Sequence, residues 1–163
     1  MFHTSLKALA IISCAAVVVA CGGGSDDPDP TPVSATLAIS NSTNALFNGV
    51  YTTTTVSLAE VVKVNPIGSE PEVCSFRFSG LRGPGGEMTG DVRYIPGTTS
   101  LHVIFIAINS VEFVSRDTSN AAVDKPNNEV DLSGKTLAAS TGVASTLTVT
   151  GSIPMRGSRP EGC

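Results

Sequence analysis

"LHVIFIAI", residues 101–108, is the most hydrophobic strand candidate in the chain, and it breaks the alternation expected of a half-buried strand. One face carries Ile104, Ile106 and Ile108; the other carries Val103 and Phe105. Both faces must leave water, so the stretch reads as a central strand covered on both sides, or as one whose second face meets a loop, a lipid or a partner. The aromatic face is expected to enter the main core, with Val103 and Phe105 against Phe76 and Phe78. Ile104, Ile106 and Ile108 then become the possible partner or ligand face.

Working outward, the pattern stays that of strands. Thr, Val and Ser dominate after residue 35, Gly or Pro interrupts about every ten residues, and no segment keeps a helical apolar stripe for three turns. Strands are expected at 35–40, 46–58, 60–65, 72–80, 87–95, 100–108, 111–115, 129–132, 135–140 and 145–153. In 72–79, Cys74, Phe76 and Phe78 share one face, while Ser75, Arg77 and Ser79 share the other. In 145–153, Leu147, Val149 and Ile153 face in and Thr146, Thr148, Thr150 and Ser152 face out. Ile95-Pro96-Gly97-Thr98 suits a type II turn that closes a hairpin. The fold class is all-β: a single antiparallel β-sandwich or a small flattened β-barrel built from consecutive hairpins. "GVYTTTTV" (49–56) and "GVASTLTV" (142–149) look alike, but in Thr-rich strands such likeness does not make a repeat.

The N-terminus has a different logic. Lys7 precedes an apolar run from Ala8 to Ala20 that is too short to cross a bilayer, and "GGGSDDPDP" follows it. A core helix fits poorly, because no amphipathic face exists and the glycines end the pattern; an ordinary secretory signal would explain the run but not its ending. Val18-Val19-Ala20-Cys21 resembles the lipobox of bacterial lipoproteins. That resemblance implies removal of residues 1–20, a diacylglycerol on the Cys21 sulfur and an acylated amine. It also implies a membrane as partner through that lipid. Gly22 follows the cysteine where an Asp would imply retention in the inner membrane, so the implied location is the outer membrane, facing the periplasm. Residues 21–34 form a Gly/Asp/Pro-rich tether, which would span roughly 20 Å as a coil and about 40 Å if its proline-rich half is extended. Residues 35–163 are the size of one domain.

From Ala35 onward eleven acids face nine bases, with no basic stripe and no tryptophan. Nucleic acid is therefore excluded as a partner class. Cys14 leaves with the signal and Cys21 takes the lipid, so Cys74 and Cys163 remain in an exported domain and are expected to pair as a disulfide rather than stay free.

The search for chemistry yields little. His102 is the one histidine of the domain; Asp91 or Asp131 could orient it as a base, but no nucleophile setting accompanies it. It reads as a strand histidine with a satisfied ring. One histidine and a cystine cannot make a zinc site. "RDTSNAAVDKPNNEVD" (116–131) gathers oxygen donors (Asp117, Asn120, Asp124, Asn127, Asn128, Glu129, Asp131), but not at EF-hand spacing, and polar connections share this composition. "GLRGPGGEMTGD" (80–91) lacks the ending of a phosphate loop and leads into a strand; it reads as a mobile hairpin loop. Glu70 and Glu72 flank Pro71 with no sign of a cleft between carboxylates. No catalytic residue, metal or cofactor is assigned. Three functions follow in order of fit: a non-enzymatic lipoprotein that binds or scaffolds an envelope protein, a barrel that carries a small apolar ligand, and an enzyme using His102.

Overall fold

The computed structural model describes residues 32–163 apart from Val143. The expected signal segment, the expected lipidation site Cys21 and the expected tether up to residue 31 lie outside the described residues.

Eleven strands form one antiparallel sheet: β1 (Ala35–Ser40), β2 (Gly49–Thr53), β3 (Ser57–Leu58), β4 (Val62–Val64), β5 (Val73–Gly83), β6 (Gly86–Tyr94), β7 (Leu101–Ile108), β8 (Val111–Ser115), β9 (Ala121–Asp124), β10 (Glu129–Ala139) and β11 (Thr146–Pro154). Eight of them follow one another as β11-β1-β2-β5-β6-β7-β8-β10, and the β10–β11 pairing closes the ring. The protein is a small antiparallel β-barrel, the second of the two architectures expected, with β3, β4 and β9 as additions to its wall. Closure leaves the eight ring strands without the free edges that an open sandwich would have to protect.

The wall contains two interrupted strands. Both β8 and β9 run antiparallel to β10, so they travel in the same direction. β8 fills the wall beside Ala138 and Ala139, whereas β9 fills it beside Glu129 to Leu132. Likewise β2, β3 and β4 each pair antiparallel with β5, at Arg82, at Phe78–Ser79 and at Val73–Ser75 in turn. The expected strand 46–58 is thus a 3-10 turn (Ala45–Phe47) followed by β2 and β3. β9 has no counterpart among the expected strands. The two expected strands 129–132 and 135–140 are a single one, because Gly134 adopts φ +78° and the chain bulges between Ser133 and Lys135 without leaving the ladder.

The interior is filled by side chains. Tyr51, Phe76, Tyr94, Phe113, Leu81 and Met88 are all fully buried, as befits an eight-stranded barrel whose bore is about the width of its own side chains. Cys74, Phe76 and Phe78 face inward as the alternation requires, and so do Leu147, Val149 and Ile153. The ring of Phe78 lies over Gly90, where an added Cβ would meet it at 2.3 Å, so that position has room only for glycine. Gly97 takes φ +74° and Thr98 N–H donates to Ile95 O at 3.3 Å, as a type II turn requires.

The faces of β7 are the reverse of the expectation. Ile104, Ile106 and Ile108 are fully buried in the core, not a partner or ligand face. Phe105 and Ala107 lie on the outer wall, half-buried; Val103 faces outward with them but is itself covered. The cause is local. Tyr94 pairs with Leu101 and Arg93 with Val103, so His102 is one residue too many, and the bulge turns the rest of the strand over.

Cys74 and Cys163 form a disulfide, with S–S 2.01 Å and Cα–Cα 5.6 Å. It pins the C-terminus to the barrel at the end where β1 begins. Buried Tyr94 donates its hydroxyl proton to Cys163 O at 2.8 Å, and Gly97 N–H donates to Gly162 O. Burial raises the Tyr94 phenol above its ordinary pKa. Arg159 ties the tail to Asn128 Oδ1 and Lys125 O, and Arg156 Nε donates to Leu58 O.

Candidate functional site

The outer wall over β5, β6, β7 and β8 carries a groove of about 560 Å³ lined by Arg77, Asp91, Arg93, Phe105, Ala107 and Glu112 among others. Strand alternation puts most of these residues there, between inward-facing neighbours such as Phe76 and Phe78 around Arg77 or Ile104 and Ile106 around Phe105. Register then brings them together. Asp91 sits opposite Arg77 on one side and Phe105 on the other, and Ala107 sits opposite Glu112.

Arg93 is the best-held group. Its Nε donates to Asp91 Oδ1 at 3.1 Å and its Nη2 to Oδ2 at 3.2 Å, a two-pronged contact, while its guanidinium lies 5.3 Å from the centre of the Phe105 ring. The hydrogen bond to Asp91 raises the Arg93 pKa further and outweighs the effect of partial burial. Asp91 also accepts from Ser75 Oγ at 3.3 Å and meets Arg77 Nε at 3.5 Å. One carboxylate therefore serves two guanidiniums. Arg77 remains 77 % exposed, and Arg93 Nη1 has no protein partner among the described residues.

The other residues singled out from sequence go to separate places. His102 Nε2 lies 2.8 Å from Glu70 Oε2, and Arg116 Nη1 donates to Glu70 Oε1 at 3.1 Å. The hydrogen bond from His102, aided by Arg116, holds the Glu70 carboxyl below its ordinary pKa. His102 thus meets neither Asp91, which holds arginines, nor Asp131, which accepts from Ser152 Oγ at 2.5 Å. Its Nε2 is engaged by Glu70, which ties the 65–72 connection to the wall. Glu72 points to Lys63 at 3.8 Å, away from Glu70's partners.

Of the oxygen donors in 116–131, three converge. Carboxylate oxygens of Asp124, Glu129 and Asp131 lie within 4.8 Å of one another, all half-buried, because Asp124 pairs with Glu129 across β9–β10 and Asp131 follows on the same face. Asp124 also accepts from Asn127 N–H at 3.1 Å and Nδ2 at 2.8 Å. Asp117 is engaged elsewhere: Ser119 N–H and Oγ–H donate to it, which lowers its pKa. Asn128 accepts from Arg159. Most of the glycine-rich stretch 80–91 is strand, with only Pro84 and Gly85 between β5 and β6.

Lys135 drew no notice in the sequence. Its side chain is fully buried, and its Nζ donates to the carbonyls of Asp117 and Ser119, the latter at 2.8 Å, with Asp117 Oδ2 at 3.5 Å. It fills the gap where β8 has ended and β9 has not begun. Every buried side-chain polar atom among the described residues has a partner.

No protein-family model, no curated protein and no solved structure matches the chain.

Proposed function

We propose that the protein is a lipid-anchored envelope lipoprotein with a non-enzymatic binding or scaffolding role, and that its binding face is the outer wall of the barrel. Cys21, carrying the lipid, would hold it on the outer membrane facing the periplasm, with the tether leading to β1 at Ala35. One observation carries the binding face: Arg93 is locked by Asp91 over Phe105 beside a groove on the outside. Large side chains occupy the interior, which speaks against the alternative of a carrier with an apolar ligand in its bore. His102 Nε2 is engaged by Glu70, and no side-chain hydroxyl or thiol is hydrogen-bonded to its ring among the described residues, so nothing beside it supports the enzyme reading.

The test uses the full chain in a Gram-negative host. Wild type should fractionate with outer-membrane lipid and Cys21→Ser should not; equal membrane recovery of both would remove the anchor. A photo-crosslinking side chain at Ala107 should capture an envelope protein, whereas one at exposed Thr150 on β11 should not. Capture from neither position would remove the binding face.

A further inference from the structure

We infer that the groove on β5–β8 receives an extended peptide segment of the partner, one bearing a carboxylate side chain and, two residues along, an aromatic or large aliphatic side chain. The inference rests on the outer wall being the binding face and adds the chemistry of what it binds.

Charge is the first reason. Arg77 and Arg93 share the carboxylate of Asp91; Glu70 also acts on Arg93 but is itself paired with Arg116 and His102. The Arg77–Arg93 end therefore holds one more positive than negative charge, while Glu112 stands at the Ala107 end. Arg93 is held by two hydrogen bonds and lies over a ring, and its Nη1 has no protein partner among the described residues. A guanidinium fixed in this way has lost its rotamer freedom before the ligand arrives, which favours recognition of a carboxylate.

The floor is the second reason. Phe105 and Ala107 face outward on one strand, two residues apart, and Ala107 sits opposite Glu112. Apolar surface therefore adjoins the cationic end at the repeat distance of one strand face, about 6.6 Å. An extended peptide with its acid and its apolar side chain at i and i+2 has that same repeat.

Shape decides the source. The groove lies open on a curved wall, whereas a free small molecule is held by sites that bury most of its surface. A segment of a larger partner needs no such enclosure, because the rest of the partner supplies further contacts.

Titration calorimetry on the full chain in lipid nanodiscs, with empty nanodiscs as blank, tests this. The probe is the blocked peptide acetyl-Ala-Glu-Ala-Phe-Ala-amide. It should bind with a Kd of about 1 mM or tighter, and the peptide with Gln for Glu should bind at least about tenfold more weakly. Arg77→Gln should lose about tenfold in affinity for the Glu peptide and nothing for the Gln peptide, with thermal melting unchanged because Arg77 is exposed. Equal binding of the two peptides, no saturation by about 10 mM, or an unaltered Arg77→Gln affinity would each overturn the inference. So would 3-phenylpropionate binding as tightly as the peptide, which would make the groove a site for free organic acids. Crosslinking at Ala107 separates the two levels: capture of a partner without peptide binding defeats this inference and leaves the binding face standing.

Discussion

Replacing Cys163 with Ala should destabilise the barrel by more than any single surface change. The disulfide joins residues 89 apart, and in the chain-entropy description a closed loop of about 90 residues restricts the unfolded chain by roughly 4.6 kcal/mol at 25 °C. Native contacts add to this. With the tail untied, the bonds from Tyr94 to Cys163 O and from Gly97 to Gly162 O compete with fraying of the last residues. Cys74 left alone in the core behaves as a small hydrophobe and costs little itself. A domain of this size has only about 5–15 kcal/mol of stability, so the variant should lose a third of it or more. In melting temperature that is roughly 12–20 °C, followed by far-UV circular dichroism on the full chain in nanodiscs. Wild type heated with reductant should fall by a similar amount, and adding reductant to the variant should change nothing further. A variant melting within about 3 °C of wild type would refute the reasoning. It would mean that the unfolded chain is already compact around Cys74, or that the tail holds without the bond.

Ile106→Ser, which places a hydroxyl among fully buried side chains, should cost about 3–5 kcal/mol, whereas Phe105→Leu on the outer wall should cost about 1 kcal/mol; chemical denaturation of the two variants reads the difference, and equal losses would contradict the face assignment of β7. Glu70 has its carboxyl held down by His102 and Arg116, so its contribution is complete above the ordinary glutamate value of about 4.3 and is lost as pH falls through the lower folded value. Melting temperature of wild type should therefore drop more steeply than that of Glu70→Gln between about pH 4.5 and pH 2.5, and parallel curves would deny the link. Lys135→Met should speed amide exchange in residues 116–120 at least about tenfold, because Asp117 O and Ser119 O lose their donor; the global melting shift should be smaller, since the buried ammonium's desolvation cost disappears with it. Unchanged exchange there would mean that the connection holds itself.

Much of the barrel could be read from alternation alone. In 72–79 and 145–153 polar and apolar residues alternate cleanly, so the inward faces were determined, and Cys74 on the inward face beside Phe76 already placed the disulfide against the core. β7 could not be read in this way. With both faces apolar, its parity carries no polar marker except His102, and His102 is the bulged residue, so it stands on neither regular face. The better cue lay on the neighbouring strand. Thr89, Asp91 and Arg93 mark the outer face of β6, and whichever residues of β7 pair with them must face outward too. Pairing register is a long-range property, and a single stretch does not state it. The groove was missed for the same reason, since Arg77, Asp91 and Phe105 come from three strands and meet only across the ladder.

Lys135 shows what a closer reading could have extracted. Val130 and Leu132 fix the inward parity of β10, Leu137 resumes it, and Lys135 stands two residues before Leu137 on that same face. Gly134 between Leu132 and Lys135 is the residue that lets a bulge change the count from even to odd. A lysine at an inward position needs acceptors, because an unpaired buried ammonium is too costly to keep. Backbone carbonyls that no strand uses are the nearest source. The wall supplies them only where a strand is interrupted, so an inward lysine on β10 implies a break in the strand beside it. The break is there: β8 stops at Ser115, β9 starts at Ala121, and the carbonyls of Asp117 and Ser119 turn to Nζ. The same lysine that misfits an apolar core thus marks the point where the barrel wall changes from one strand segment to the next.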